Sequence, residues 1–510
     1  MNPAEREPPS PRSAKTLAFL PTLSATKFRT ATKYGWATTE VATARAWLFC
    51  RLANLSLPPI LSARTNNSRQ YSMNLKQFSR RRLLRNATVA AALGSLGGAA
   101  PATLRAAEGS TKSRATAGLN VRDFGAVGDG KADDTAAFTA AMKEASDAGG
   151  DLVFVPRGNY LLKGTLDVPE NVTLEGVFRA PTARTQNHGS CLLAVAGAGS
   201  TEGTPFITLH QNSTLRGLTV FYPEQKPTNA PTPYPWTVRG IGDNCSLIDV
   251  LLVNPYQAVD FGTHPAGRHL IRGLYAQPLY RGIFIDQCFD VGRVEDVHLW
   301  PFWGGWEGDL GKFTREQGIA FIIGRTDWEY LFNCFCIGFN VGFQFIKTKA
   351  GMPNAVLTQC GSDIGPTAVR IENVQDHAGI SFVNGQFMAG IEVKETNRGP
   401  VKFTACGFWG IPSTDSHAIL EGRGHTTFNG CHFVSWAKKD SNAPCIHAKR
   451  GGLTVTACDF AEHGKAQVTI EPDVEAAIVF GNRLRGKDRV ANNAGEKAQV
   501  LLNVVSDQKR

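Results

Sequence analysis

From Trp300 to Asp309 the chain reads WPFWGGWEGD, three tryptophans, two carboxylates and three glycines in ten residues. Indole faces stack on the flat C–H faces of sugar rings, and carboxylates and arginine bind hydroxyls and acidic groups. Glu307, Asp309 and Glu316 are therefore the first catalytic candidates, with Asp260 and Asp286 on or just after neighbouring strands. Gln257, Tyr280, Arg281, Trp303 and Trp306 are the candidates for binding. The competing assignment places Trp300 and Phe302 in a core, with the stretch merely covering the side of the molecule. The elements around these residues decide between the two.

NPYQ at 254, QPLY at 277 and WPFW at 300 recur 23 residues apart, each just before a short alternating segment. Proline fixes a bend there, so the aromatics that follow it should stack along one edge. About twelve extra residues, 304–315, separate the third copy from its strand, which makes the stretch a loop. The alternating segments form a column of a small residue followed by two apolar residues flanking a variable one. They read AVDF from Ala258, GIFI from Gly282, GIAF from Gly318, GFQF from Gly342, AVRI from Ala368, GIEV from Gly390, AILE from Ala418, CIHA from Cys445 and QVTI from Gln467. Such alternation is a strand with one buried side, and it places Asp260 outward.

A second column runs in phase. ISFVNGQF (380), VKFTACGF (401), TTFNGCHF (426), LTVTACDF (453) and AIVFGNRL (477) keep an apolar third residue, Gly, Cys or Asn at the sixth, and Phe or Leu at the eighth. Looser copies upstream bring the total to about twelve. Two or three short strands per copy, with no helix between, exclude helical and leucine-rich solenoids and leave a parallel β-helix. Cys360, Cys406, Cys431 and Cys458 all take the sixth place, so they belong to an internal ladder rather than to disulfides or a metal cluster.

The net charge of +10 is misplaced for a nucleic-acid partner. Residues 1–107 hold 16 Lys+Arg against 3 Asp+Glu, leaving 38 against 41 in the body. From Ser79, SRRRLLR precedes an apolar run over 87–100, which resembles a twin-arginine export signal with Arg80 and Arg81 as the pair. Cleavage would follow Ala102 or fall near Ala107. The expectation is a disordered extension over 1–72, a signal over 73–107, passage through the twin-arginine translocase, and a periplasmic or secreted bacterial protein with no stable membrane span.

A rod of coils needs a cap. In residues 119–176, Asp133 or Asp134 can N-cap a helix that buries Phe138 and Met142 and stops at Gly149-Gly150. The signature DFGA-x-GDG-x-x-DDT, Asp123 to Thr135, resembles the entrance of the pectate-lyase-like superfamily, which includes polygalacturonases, rhamnogalacturonases and phage tailspikes. The resemblance covers residues 118–485, cap included, and implies an all-β, single-stranded, right-handed parallel β-helix, with 486–510 as a tail or end seal. It implies an exported protein that cleaves a uronate-containing polysaccharide by hydrolysis or elimination, without a required cofactor, Ca2+ serving only a lyase. The alternatives are a non-catalytic carbohydrate-binding β-helix and a uronate epimerase. The polygalacturonase catalytic motifs are missing: their positions carry Gln257, Arg281 and Gln317, and the nearest later matches are Gly424-His425-Thr426 and Arg370-Ile371-Glu372. The Pro-rich insertion 221–236 is either another wall of a cleft or a stiff excursion, and His298, His432 and His447 read as structural.

Overall fold

In the computed structural model, residues 118–181, 188–301 and 308–507 are described. The export-signal segment lies outside them, as do Trp303, Trp306 and Glu307. Three parallel sheets, two of 15 strands and one of 13, wind into a right-handed β-helix of about fourteen turns. The excess over twelve arises at the ends. The cap contributes Leu119–Asn120 and Asp129–Asp133, and the tail contributes Val490–Asn492, Ala498–Leu501 and Val504–Ser506. No helix among the described residues is long and apolar enough to cross a membrane.

From Gly217 to Gly481 the chain passes from the first sheet to the second through one left-handed residue per coil. On successive coils it is Gly217, Asp249, Gly273, Asp296, Asn333, Gln359, Asn384, Ala405, Gly430, Ala457 and Gly481, all with φ between +52° and +67°. This corner turns the chain sharply and delivers the next residue, the sixth place of the repeat, into the interior. There Cys334, Cys360, Cys406, Cys431 and Cys458 donate their thiols to Val294 O, Leu331 O, Phe382 O, Phe403 O and Phe428 O, each on the coil before. Asn482 continues the row by donating to Val455 O at 3.0 Å. These cysteines are buried and free, as a ladder requires.

The third and eighth places stack as aromatic ladders. Phe382–Phe403 and Phe403–Phe428 lie 4.9 and 5.2 Å apart on the first sheet. Phe408–Phe433 and Phe433–Phe460 lie 4.9 and 5.0 Å apart on the second. All four pairs are near-parallel, so burial of large apolar faces and strand pairing repeat together at the coil pitch.

Two coils of the third sheet differ from the expected register. Phe321 pairs with Ile283, so Ala320 and not Gly318 takes the small place, and Ile319 rather than Gln317 sits opposite Arg281. Further on, Ala418 pairs with Ile391, which shifts AILE by one and makes His417 the first member. Burial explains both: the shifted registers put Phe321, Ile323, Ala418 and Leu420 inside and keep Glu421 out.

The cap forms as its composition requires. Helix α1 spans Thr135–Asp147, buries Phe138 and Met142, and ends before Gly149 and Gly150, both at positive φ. Asp134 stands at the N-cap position without a side-chain cap bond, and Asp133, one residue earlier, accepts from Thr135 N and Oγ1 at 3.1 and 2.6 Å. Asp134 instead turns inward and binds Val127 N and Gly128 N, tying the DFGA-x-GDG loop to the helix. The 221–236 insertion folds back onto the body: Tyr222 and Tyr234 are buried edge to face at 4.8 Å, and Tyr222 Oη meets Thr237 Oγ1 at 2.8 Å.

Candidate functional site

The bend motifs align as their spacing predicts. Tyr280 N donates to Tyr256 O at 2.9 Å, and the two rings lie 5.3 Å apart. The insertion that follows WPFW is not a loop throughout. Asp309–Gln317 forms helix α2, which buries Leu310, Gly311 and Thr314 and sets Phe313 5.9 and 6.0 Å from Tyr256 and Tyr280. Asp309 and Glu316 are exposed on it, Asp309 in the first turn, where the helix dipole favours a carboxylate.

The remaining candidates on this face are occupied. Arg281 lies over the Tyr280 ring at 3.6 Å and donates to Tyr280 Oη at 2.8 Å and Gln317 O at 3.3 Å, fastening α2 to the body. Buried Gln257 donates to Thr201 O and Tyr234 O at 3.0 and 3.2 Å. Asp260 does point away from the interior but is fully buried, accepting from Arg239 Nε at 2.6 Å, Gly262 N at 3.1 Å and Thr263 N at 2.8 Å. Asp286 is buried too, accepting from Arg325 N and Thr348 Oγ1 at 2.6 and 2.9 Å. Both of these aspartates, expected as catalytic candidates, are acceptors held by several donors. His298, read as structural, is half-buried between Tyr275, Trp300 and Phe335 at 6.1, 5.8 and 5.2 Å, and burial lowers its pKa.

A wider concave surface follows the turns that lead from the third sheet to the first. Two adjoining concavities of about 690 and 810 Å³ share Glu395 and Arg450. The second is lined by Lys347, Arg398, Arg423 and Arg450 against two carboxylates, Asp376 and Glu395. The three arginines stand on consecutive coils, their turns stacked through Arg423 N to Asn397 O at 2.9 Å and Gly452 N to Gly424 O at 3.3 Å. All three are exposed. Arg398 and Arg423 have no carboxylate partner among the described residues, and Arg450 Nε is 3.9 Å from Asp473.

A charge network crossing coils runs into the first concavity, which Lys394, Glu421 and Lys449 line. Arg370 binds Glu392 at 3.0 Å, Lys394 bridges Glu392 and Glu421 at 3.7 and 3.5 Å, and Lys449 binds Glu421 at 3.0 Å. His447 Nε2 lies 2.7 Å from Glu471 Oε1. The Lys449 ammonium lowers the Glu421 pKa, and the His447 contact lowers that of Glu471, so both carboxyls are held ionised. Asp363, on the second sheet one coil beyond Ile337, behaves oppositely. Burial raises its pKa, and its Oδ1 has no hydrogen-bond partner among the described residues. Sequence reading named Arg370 only in a mismatched motif and His447 as structural, and it missed the arginine row, Asp363 and the carboxylates around Lys394 and Lys449. The arginines do recur at 25 and 27 residues, but in turns with no apolar pattern to mark them.

Comparison with known proteins agrees with this architecture. Residues 118–222 match the family model described as rhamnogalacturonase A/epimerase, pectate lyase-like. An exopolygalacturonase of Arabidopsis thaliana is 38% identical over 281 residues, covering 47% of this chain and 59% of that protein. A mannuronan C5-epimerase of Azotobacter vinelandii is 45% identical over 71 residues, covering 12% of this chain and 4% of the epimerase. The chain thus spans only part of the curated relatives it matches. Among solved structures, the tailspike of E. coli bacteriophage HK620, in complex with a pentasaccharide, superposes with a TM-score of 0.51 at 11% identity, covering 76% of this chain and 80% of the tailspike. The N-terminal fragment of bacteriophage phi29 gene product 12 gives 0.50 at 13% identity, covering 75% and 72%. These two likenesses show a shared fold.

Proposed function

We propose that this chain is an exported enzyme that binds a uronate-bearing polysaccharide along the Arg398–Arg423–Arg450 row and acts at the carbon next to the uronate carboxyl. The row carries the reading. Stacked turns set its arginines about 4.8 Å apart at the backbone, and guanidinium groups pair with carboxylates through two parallel hydrogen bonds. Polygalacturonase and mannuronan epimerase relatives support a polyuronate as the polymer.

The neighbouring concavity suits proton abstraction better than hydrolysis. Hydrolysis needs one carboxyl kept neutral as the acid, whereas Glu421 and Glu471 are held ionised by their cationic neighbours. In proton abstraction, Glu471 accepts the Nε2 proton of His447 and leaves Nδ1 as the base. Lys394 and Lys449 then balance the charge that grows on the substrate carboxyl. Expulsion of the ring-linked oxygen gives elimination, and return of a proton to the other face gives epimerisation. Calcium needs clustered oxygen ligands. The chelator arm of the test below reads whether the reaction uses it.

The test is incubation of the purified chain with polygalacturonate, polymannuronate and rhamnogalacturonan in deuterated buffer, with and without chelator. Unsaturated uronate marks elimination, and deuterium at C5 of uncleaved polymer marks epimerisation. His447→Gln should abolish either signal while the variant still binds polymer. New reducing ends with neither signal would refute proton abstraction and turn attention to Asp363. Binding without turnover would leave a carbohydrate-binding β-helix. N-terminal sequencing of the mature protein tests export, with a start after Ala102 or near Ala107 expected.

A further inference from the structure

We propose that His269, Cys288 and Glu329 form a structural binding site for a zinc-type divalent metal inside the β-helix. The three residues come from three successive coils, are fully buried, and bring an imidazole nitrogen, a thiol sulfur and a carboxylate oxygen within 4.8 Å of one another. His269 Nε2 lies 3.0 Å from Glu329 Oε1. These donors are the ones zinc selects, and a thiolate with an imidazole disfavours calcium or magnesium.

Three further features point to a ligand. His269 Nδ1 lies 2.8 Å from Ala266 O and, as the donor there, fixes the ring so that Nε2 faces Cys288 and Glu329. Metal-bound histidines are commonly held this way by a backbone carbonyl. Second, Glu329 Oε2 is buried without any hydrogen-bond partner among the described residues, a costly state for a carboxylate. Third, Gly292 keeps the space beside these groups open: a Cβ there would sit 2.2 Å from Glu329 Oε2 and 2.5 Å from His269 Cε1.

Both possibilities are neutral overall, and the unpartnered Glu329 Oε2 distinguishes them. A divalent ion with one thiolate, one carboxylate and neutral imidazole has no net charge, which burial demands. The Cys288 proton, now directed at Asp290 O at 2.6 Å, would be released on binding. Without metal, the same atoms form an imidazolium–glutamate pair. Burial disfavours the charged ring, and only the Glu329 charge together with the hydrogen bonds to Cys288 and Glu329 raises the His269 pKa well above the usual histidine range. That pair is also neutral, yet it leaves Oε2 without a donor.

The test uses the full chain, free of any affinity tag, unfolded and refolded with zinc or cobalt and then freed of loose ions. One equivalent of zinc by elemental analysis is expected. The cobalt form should show a thiolate-to-metal charge-transfer band, and Cys288→Ser should abolish that band and weaken metal retention at least tenfold. If Cys288→Ser does not fold, the wild-type stoichiometry and cobalt spectrum decide alone. Less than a tenth of an equivalent after refolding in zinc overturns the proposal in favour of the ion pair. One equivalent without the charge-transfer band places the ion elsewhere and overturns it too.

Discussion

Replacing Arg398, Arg423 and Arg450 together by glutamine separates binding from folding, because the two respond with opposite sign. The three turns stack one coil apart, about 4.8 Å at strand spacing. Neighbouring guanidiniums at that distance repel by roughly 0.9 kcal/mol in water before salt screens them. Removing the charges therefore leaves stability unchanged or slightly raised, since the side chains are exposed and Arg398 and Arg423 have no carboxylate partner among the described residues to lose. Against a polyuronate the same change removes three exposed ion pairs of about 0.2–1 kcal/mol each. The sum, about 0.6–3 kcal/mol, weakens binding roughly 3- to 150-fold at low salt. The assay is titration of polygalacturonate and polymannuronate oligomers at several salt concentrations, with thermal unfolding in parallel and Lys402→Gln, exposed on the first sheet, as control. The triple variant should bind less tightly, with a shallower salt dependence and an undiminished melting temperature. Unchanged affinity and salt slope would show that the polymer lies elsewhere.

Two further outcomes follow from the coil geometry. His417 is buried among Phe408, Phe433 and Trp436, and burial depresses its pKa to about 4 from 6.5. A depressed folded-state pKa means stability present above pH 6.5 and lost as pH falls toward 4, by about 3 kcal/mol in full. Denaturant titrations should therefore show His417→Phe flattening the stability profile between pH 6.5 and 4, and an unchanged slope would refute this. Separately, Ala405 and Ala457 are exposed yet hold the left-handed corner at φ +54°. That conformation costs an L-residue roughly 1–2 kcal/mol, and glycine gives back about 0.4–1 kcal/mol by loosening the unfolded chain. Each Ala→Gly change should thus raise unfolding free energy by about 0.5–1 kcal/mol in chemical denaturation, against the usual direction for glycine.

The interior was legible because its period is strict. Alternation in AVDF, GFQF and AVRI marked the third-sheet strands, and the sixth-place cysteines marked their ladder before any thiol was seen donating to the coil below. Register failed where the apolar run was long enough to be read two ways. In GIAFII, Ile319 and Phe321 alternate as well as Phe321 and Ile323 do, and only strand pairing chose. Parity placed Asp260 outside correctly but said nothing of Arg239, 21 residues earlier, which comes from the adjacent coil and buries it. The corner alanines were unreadable in principle, since composition assigns left-handed turns to glycine and asparagine. The His269–Glu329 contact spans 60 residues and leaves no local trace.

The division between the legible interior and the illegible edge also bears on where chemistry can occur. Most inward positions are committed to a ladder, and a polar substitution there would strand an unpaired group in the packing of neighbouring coils. Functional groups are thereby driven to the turns, where chain length varies freely. The two edges of the third sheet use that freedom differently. At the edge entering the sheet, α2 and its contacts with Tyr256, Tyr280 and Arg281 fill the space. At the edge leaving it, the turns are short, and the glycines keep their backbones close: a Cβ on Gly424 would lie 2.2 Å from Gly399 O, and one on Gly451 would lie 2.8 Å from the Arg423 carbonyl carbon. Tight stacking fixes the pitch of the arginines before any ligand arrives. A row of like charges held at fixed spacing has little conformational freedom to lose on meeting a polyanion of comparable repeat. The same rigidity that makes the scaffold regular gives the proposed polymer-binding edge a fixed spacing of charge.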